Sequence, residues 1–427
     1  MSVMSDDFAV YLPAVNDTYA NGLIAEISLN RPFPASFTLA DLEFWRKGSR
    51  LWHHPHFLNS AGNYKVGQTP DNAVTRRGRT DGMLFGDSGG FQIGKGKLQG
   101  IEGLQPGMSA DAACAVWRNA YSARVWILNW LETYANYAMS IDMPLWAATP
   151  SGTGSPFHHC TPQQLIDLTV ENLKFIDSHR LNRTKWLNVI QGSDLPTIKQ
   201  WWDAVKWFPS SGYAMSSSAG RISGLQAVIA PLLMMRDDGA FEAGRDWIHF
   251  LGVSTAPWAV MLSGVQRAMQ ATINRKLRIS FDSSSPFQQA CRYERFVTQP
   301  TLGIEAANWK IRDETIMQSR LHVGSSDPLP FASPIADLLT VGDLSVRDGV
   351  FTERQFDTTS LLFLSNHNVW TYLNTFEAAN VAAFHDPQRS IPAQYKECLD
   401  VISEAFKVEN WQSFLSSQDV LLSSFKG

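Results

Sequence analysis

From about residue 80 onward, short apolar runs recur along the chain, each ending on a polar or small residue and followed by a turn-rich or helical stretch. Met83-Leu84-Phe85-Gly86 ends at Asp87, Tyr137-Ala138-Met139-Ser140-Ile141 at Asp142, and Trp186-Leu187-Asn188-Val189-Ile190 at Gln191-Gly192. Tyr213-Ala214-Met215 gives way to Ser216-Ser217-Ser218, Trp247-Ile248-His249-Phe250-Leu251 to Gly252, and Leu277-Arg278-Ile279-Ser280-Phe281 to Asp282. Apolar runs of this length between turn signals predict strands. Helices are predicted between them. Thr161-Pro162-Gln163-Gln164 has the capping-box form with proline at the first helical position. It opens a run with Leu165, Leu168, Leu173 and Ile176 at helical spacing. Residues 109–135 and 256–275 predict two further helices.

Strands that alternate with helices pair in parallel through crossovers. Six such units, with apolar segments upstream such as residues 22–29, predict a closed (β/α)8 barrel of the TIM type, an open doubly wound sheet being the alternative. The expected organisation is an N-terminal extension, residues 1–80, packed on a catalytic barrel of residues 81–330. A helical C-terminal appendage, residues 331–427, follows, with helices over 353–384 and 393–425. Barrel enzymes carry their chemistry at the C-terminal ends of the strands, which is where the polar residues above fall. Residues 144–162, rich in Gly, Ser and Pro, follow one of these ends and read as a lid or as an ordinary surface loop.

Composition narrows the class. Of 427 residues, 44% are hydrophobic and 18% charged, with 15 Trp and 24 Phe, as in a globular protein with a substantial core. No apolar run reaches about 18 residues, so no membrane span is expected. The first residues lack a basic segment followed by a long apolar one, and a cytoplasmic protein is expected. Four cysteines, Cys114, Cys160, Cys291 and Cys398, lie far apart with no CxxC pair, which argues against a disulfide framework or a cysteine-rich zinc site. A net charge of −4 does not suggest a general nucleic-acid coat but leaves room for a local basic surface. Its candidates are Arg76-Arg77-Gly78-Arg79, Lys95 with Lys97, Arg275-Lys276 with Arg278, and Arg292 with Arg295; each reads either as a phosphate contact or as a solvated, ion-paired face.

The most specific signal is Asp87-Ser88-Gly89-Gly90-Phe91-Gln92. An aspartate followed by small residues at a strand end presents a carboxylate beside backbone that approaches a planar ligand closely. A carboxylate also suits the N–H edge of guanine, whereas a bare Asp-Ser-Gly reads equally as a capped turn. The whole hexapeptide resembles the substrate-pocket motif of the tRNA-guanine transglycosylase superfamily, and other strand ends follow that family in order. Asp142 in Ser-Ile-Asp-Met-Pro resembles its second guanine-recognition aspartate, and Val189-Ile190-Gln191-Gly192 its base-contacting V-Q-G element. Tyr213-Ala214-Met215-Ser216 stands where the family has Y-A-I-G-G, Phe250-Leu251-Gly252-Val253 resembles L-M-G-V, and Phe281-Asp282 the F-D pair with the nucleophile. Ser365-Asn366-His367-Asn368-Val369 resembles the L-H-N segment of the family's C-terminal subdomain.

The resemblance implies base exchange, with Asp282 as nucleophile and Asp87 as general acid and base. The base pocket is implied to comprise Ser88, Gly89, Phe91, Asp142, Gln191, Gly192, Ser217 and Ser218. Lys95, Lys97, Arg292 and Arg295 follow two of these motifs and are expected to hold nucleic-acid phosphates. The family's zinc cluster of three cysteines has no counterpart, because no cysteine lies between Cys291 and Cys398, so neither a metal nor another cofactor is expected. The missing cluster, the atypical first 80 residues and the compact C-terminal region resemble the DNA-acting branch. Its members are the DpdA-type transglycosylases of bacteriophages and bacterial genomic islands, which replace guanine in DNA by a 7-deazaguanine such as 7-cyano-7-deazaguanine and so evade restriction. The implied partners are DNA, or alternatively tRNA for an enzyme that has lost its zinc, and a free 7-deazaguanine base; the oligomeric state stays open. An inert nucleic-acid-binding partner subunit is a further alternative, against which stands the presence of both aspartates. A Schiff-base lyase would need a lysine at a strand end, and none of the six ends has one.

Overall fold

Side chains along a strand point alternately to its two faces, so a short run that is apolar on both faces belongs in a sheet covered on both sides. Eight such runs form one parallel sheet in the computed structural model, which describes residues 7–24, 33–216, 224–242, 244–316, 324–344, 356–388, 390–425 and 427. The strands are β1 (Val10–Pro13), β2 (His56–Ser60), β3 (Met83–Asp87), β4 (Tyr137–Met139), β5 (Lys185–Ile190), β6 (Gly212–Ser216), β7 (Trp247–Leu251) and β8 (Arg278–Ser283). Their spatial order is β1-β8-β7-β6-β5-β4-β3-β2. The seam between β1 and β2 is drawn together by a parallel bridge between Ala14 and Leu58 and by Val15 N–H on the Leu58 carbonyl at 2.8 Å. The Asn59 amide adds a bond to the Val15 carbonyl at 2.9 Å. The sheet is therefore a nearly closed (β/α)8 barrel, not an open sheet.

The barrel starts earlier than the sequence pattern suggested. Its first two strands come from the segment assigned to an extension of residues 1–80. β1 is only four residues long, with Val10 and Leu12 facing the lumen and Tyr11 facing outward onto Phe281 and Phe376. Pro13 interrupts its apolar run and argues against a strand in the sequence. The upstream segment read as a strand over 22–29 begins instead at the end of a helix, Asp17–Gly22, because Asn16 caps the Tyr19 N–H; residues 25–32 lie outside the described residues.

The crossover helices follow the expected pattern with one division. The stretch 109–135 forms two helices, Ala110–Asn119 and Tyr121–Tyr134, broken at Ala120, where Arg124 takes up the Arg118 carbonyl at 2.8 Å. Pro162–His179 starts at the Thr161/Gln164 capping box, and Leu195–Val205 at a second one formed by Asp194 and Thr197. Gln226–Asp237 links β6 to β7, and Ala256–Thr272 links β7 to β8.

Beyond β8 come the helix Ser285–Cys291 and an antiparallel pair, β9 (Arg295–Thr298) with β10 (Arg312–Thr315). The appendage contains Thr358–Phe384, Ala393–Ala405, Trp411–Ser417 and Asp419–Ser424. The first of these is a 27-residue helix, N-capped by Asp357, that packs against Ser285–Cys291, Ala256–Thr272 and β9. Its Asn366-His367-Asn368 segment is wholly buried and bonds to the barrel: Asn366 to the Trp52 indole, Asn368 to the backbone of Pro286, Arg295 and Val297. Two apolar layers result, one between strands and helices, the other inside the lumen. No helix among the described residues is long and apolar enough to cross a membrane.

Candidate active site

The lumen parity of each strand decides which polar residues can meet. On β3 the inward positions are Phe85 and then Asp87; on β5, Leu187, Val189 and then Gln191, one residue past the strand; on β6, Ala214 and then Ser216; on β8, Ser280 and then Asp282. Each series is apolar or buried deep in the barrel and turns polar at the C-terminal end. These ends open into a cleft of about 510 Å³ lined by Asp87, Asp142, Gln191, Ser216, Gly252 and Asp282 among others. Beneath it the lumen is plugged by packed rings: Phe85 stacks on Tyr137 at 4.9 Å and tilts against Trp247 at 5.1 Å.

The Asp87–Gln92 turn is shaped by its two glycines. Gly89 has φ +90° and packs so closely on Gly62 that a β-carbon on either would lie 2.7 Å from the other's α-carbon. Gly90 leaves the space that the Asp142 carboxylate occupies. Ser88, assigned to the base pocket, is fully buried with its hydroxyl on the Ser140 carbonyl at 3.1 Å, so it ties β3 to β4 instead of facing the cleft. Phe91 is 63% exposed at the rim, its ring 5.7 Å from that of Trp146. The Lys95 ammonium lies 4.9 Å from the Trp146 ring centre. Gly192 sits in the turn out of β5, where a β-carbon would strike Ile198.

Two carboxyls, half-buried Asp87 and buried Asp142, have raised pKa values. Burial pushes Asp87 up and the neighbouring Asp282 adds to it; the Ser60 hydroxyl, 2.6 Å from Oδ2, and the Gly89 backbone oppose the shift. Asp142 is pushed up to about 7, first by burial and then by Asp87. Gln191 is held at both ends: its Nε2 donates to Asp142 Oδ2, and its Oε1 accepts the Leu145 N–H at 2.8 Å. The second Nε2 hydrogen meets no acceptor among the described residues.

Asp282 is held differently. Its Oδ1 accepts the Gly252 N–H at 3.0 Å and faces His249 Nε2 at 3.2 Å, while Oδ2 takes no hydrogen bond from the described residues. His249, Ser60 and Trp146 are the contributors that sequence reasoning missed. His249 was visible only as a polar residue at lumen parity in an apolar strand, and Ser60 lay in a strand read as part of an extension.

The basic candidates divide. Arg76 to Arg79 precede β3, and Arg275 and Lys276 precede β8, so both clusters belong to the opposite end of the barrel. Arg79 there binds the carbonyls of Glu132, Thr133, Ala135 and Arg183, and Arg77 that of Tyr134. Lys95 lines the cleft, whereas Lys97, Arg292 and Arg295 do not; Arg295 pairs with Asp313, and Arg292 lies over the Tyr293 ring. Ser217 and Ser218 lie outside the described residues. His367 stacks on Phe331 at 4.0 Å with Nε2 on the Val297 carbonyl at 2.9 Å, a packing position. Among the described residues, no three His, Cys, Asp or Glu side chains are grouped so as to hold a metal ion. No protein-family model and no curated protein matches this chain.

Proposed function

We propose that this protein exchanges guanine in DNA for a 7-deazaguanine base through a covalent glycosyl intermediate on Asp282. The observation that carries the reading is the convergence of Asp87, Asp142 and Asp282 on one cleft, with Oδ2 of Asp282 left open for attack.

In the first half-reaction Asp282 Oδ2 attacks C1′ of the target nucleotide as the C1′–N9 bond breaks, its electron pair leaving with guanine. Asp87, held toward its acid form by burial, supplies the proton that the departing base takes up. In the second, N9 of the incoming base attacks C1′, the C1′–Oδ2 bond breaks, and Asp87 removes the N9 proton. Two carboxylates acting in this order give the double displacement of retaining glycosyl transfer. In this reading Asp142 accepts from N1–H and N2–H of guanine, and the second Nε2 hydrogen of Gln191 donates to O6. Adenine reverses these polarities, and each buried mismatch costs about 1–3 kcal/mol, so guanine is favoured by roughly one to two orders of magnitude per contact. The ring-filled lumen denies water a route to the glycosyl ester from below. The target base must be unstacked to reach the cleft, at a cost of a few kcal/mol in a duplex, so single-stranded guanine should react faster.

The test is to incubate the protein separately with guanine-containing DNA and with tRNA, supply 7-deazaguanine bases, and weigh the digested nucleosides. A 7-deazaguanine deoxynucleoside is expected. Modification of tRNA alone would move the substrate to RNA, and no modified nucleoside from either would overturn base exchange.

A further inference from the structure

We propose that His249 is a positioning residue for Asp282, holding Oδ1 so that Oδ2 is the atom that attacks and Oδ1 carries the charge when the ester is broken. The proposal rests on the base-exchange reading for its kinetic consequences, though its geometric half does not.

A donor chain runs through the lumen behind the cleft. The Trp247 indole, which can only donate, bonds Ser280 Oγ at 2.8 Å. The same oxygen lies 2.9 Å from His249 Nδ1, and His249 Nε2 lies 3.2 Å from Asp282 Oδ1. The Asp282 carboxylate only accepts, so the imidazole proton lies on Nε2, facing it, and the unprotonated Nδ1 then accepts the Ser280 hydroxyl hydrogen. The opposite tautomer would set a nitrogen lone pair against a carboxylate oxygen.

Exposure fixes which member of the pair serves the other. In a serine-protease triad the aspartate is buried and the histidine meets the reactants. Here the histidine side chain is 0% exposed and that of Asp282 is 12% exposed toward the cleft. His249 therefore acts through Asp282. When Oδ2 bonds C1′, Oδ1 becomes the ester carbonyl oxygen. As the second displacement returns the C–O electron pair to the carboxylate, the N–H groups of Gly252 and His249 receive the charge on Oδ1, as oxyanion donors do.

The experiment has an arm that needs no activity. Nitrogen-15 spectra of the full chain, with the His249 signals identified by their loss in His249→Gln, report the tautomer. The expected result is protonation at Nε2; a neutral ring protonated only at Nδ1 would overturn the proposal. In the kinetic arm, His249→Ala is expected to lower kcat by about 10- to 100-fold, the worth of one hydrogen bond to a charged group, with little change in KM. His249→Gln, which retains an N–H donor, should recover most of that loss, and the glycosyl adduct should persist longer in His249→Ala. Ser280→Ala keeps the imidazole in place, serves if the alanine variant fails to fold, and should lower kcat in the same sense. Unchanged kcat in both His249→Ala and Ser280→Ala would overturn the positioning role. If the wild-type protein exchanges no base, the functional reading fails while the tautomer still decides the geometry.

Discussion

Gly90 and Asp142 share one small volume: a β-carbon built on the glycine would lie 2.9 Å from Asp142 Oδ1. Asp142 is in turn bonded to Gln191, so the side chain missing at 90 sets where the recognition pair stands. Gly90→Ala should displace the carboxylate and raise KM for guanine-containing oligonucleotides by roughly tenfold or more, given about 1.5–3 kcal/mol for a hydrogen bond to a charged group. Steady-state kinetics on one oligonucleotide, with circular dichroism to verify folding, measure this. An unchanged KM would remove Asp142 from recognition.

Asp142 should also cost the protein stability. Its carboxyl titrates near 7 when folded, against an ordinary value of 3.8 in the unfolded chain. Between those values the folded state holds a proton that the unfolded state has released, so stability falls as pH rises from about 4 to 7 and then levels. At roughly 1.4 kcal/mol per pH unit the limiting penalty is on the order of 4 kcal/mol. Asp142→Asn keeps an acceptor for Gln191 and removes the penalty. It should melt higher than wild type at pH 8, match it near pH 4, and lose base exchange by about 100-fold or more, as the loss of a charged recognition group predicts. Thermal unfolding of both proteins across this range is the check.

Ser60 acts on Asp87 in the opposite sense. Its hydroxyl bond favours the ionised carboxylate, so Ser60→Ala should raise the Asp87 pKa further. The alkaline limb of kcat/KM, on which the acid form of Asp87 is lost, should move to higher pH. A limb that stays in place would assign the general acid to another group.

Among the cations, Lys95 should matter and Arg295 should not. Lys95 lines the cleft, whereas Arg295 is already paired with Asp313. Lys95→Ala should weaken binding of every single-stranded oligonucleotide alike and reduce the slope of log affinity against log salt by about 0.7, one phosphate contact. Arg295→Ala should leave that slope unchanged. Binding titrations at several salt concentrations separate the two.

The strand ends were legible because each inward series turns from apolar to polar where the barrel meets solvent, as at Phe85 and Asp87 or Val189 and Gln191. β1 and β2 were not, because only Phe57 and Leu58 of the five β2 residues are apolar and the apolar run of β1 is interrupted by Pro13, a residue that argues against a strand. Ser88 was misassigned for a related reason: it follows a lumen-facing residue, so alternation turns it away from the cleft and onto Ser140. His249 was in plain view within its strand, but its role depends on Ser280 and Asp282 in the adjacent strand, and strand adjacency is a property of the fold. In the basic cluster at 76–79, Arg76 is an ion-paired surface residue, bonded to Asp71, whereas Arg77 and Arg79 clamp the end of the helix Tyr121–Tyr134, a use of arginine that charge alone does not reveal.

Double displacement requires a covalent bond from Asp282 to C1′. Cleavage after Arg278 and Arg292 releases residues 279–292, a peptide in which Asp282 is the sole carboxylate side chain. The protein should be mixed with a guanine-containing single-stranded DNA without an incoming base, denatured, and digested with nuclease and trypsin before the peptides are weighed. A mass increase of one deoxynucleotide sugar residue on that peptide, localised to Asp282 and absent from Asp282→Asn, is the predicted result. An adduct on another residue, or base exchange that survives in Asp282→Asn, would contradict it.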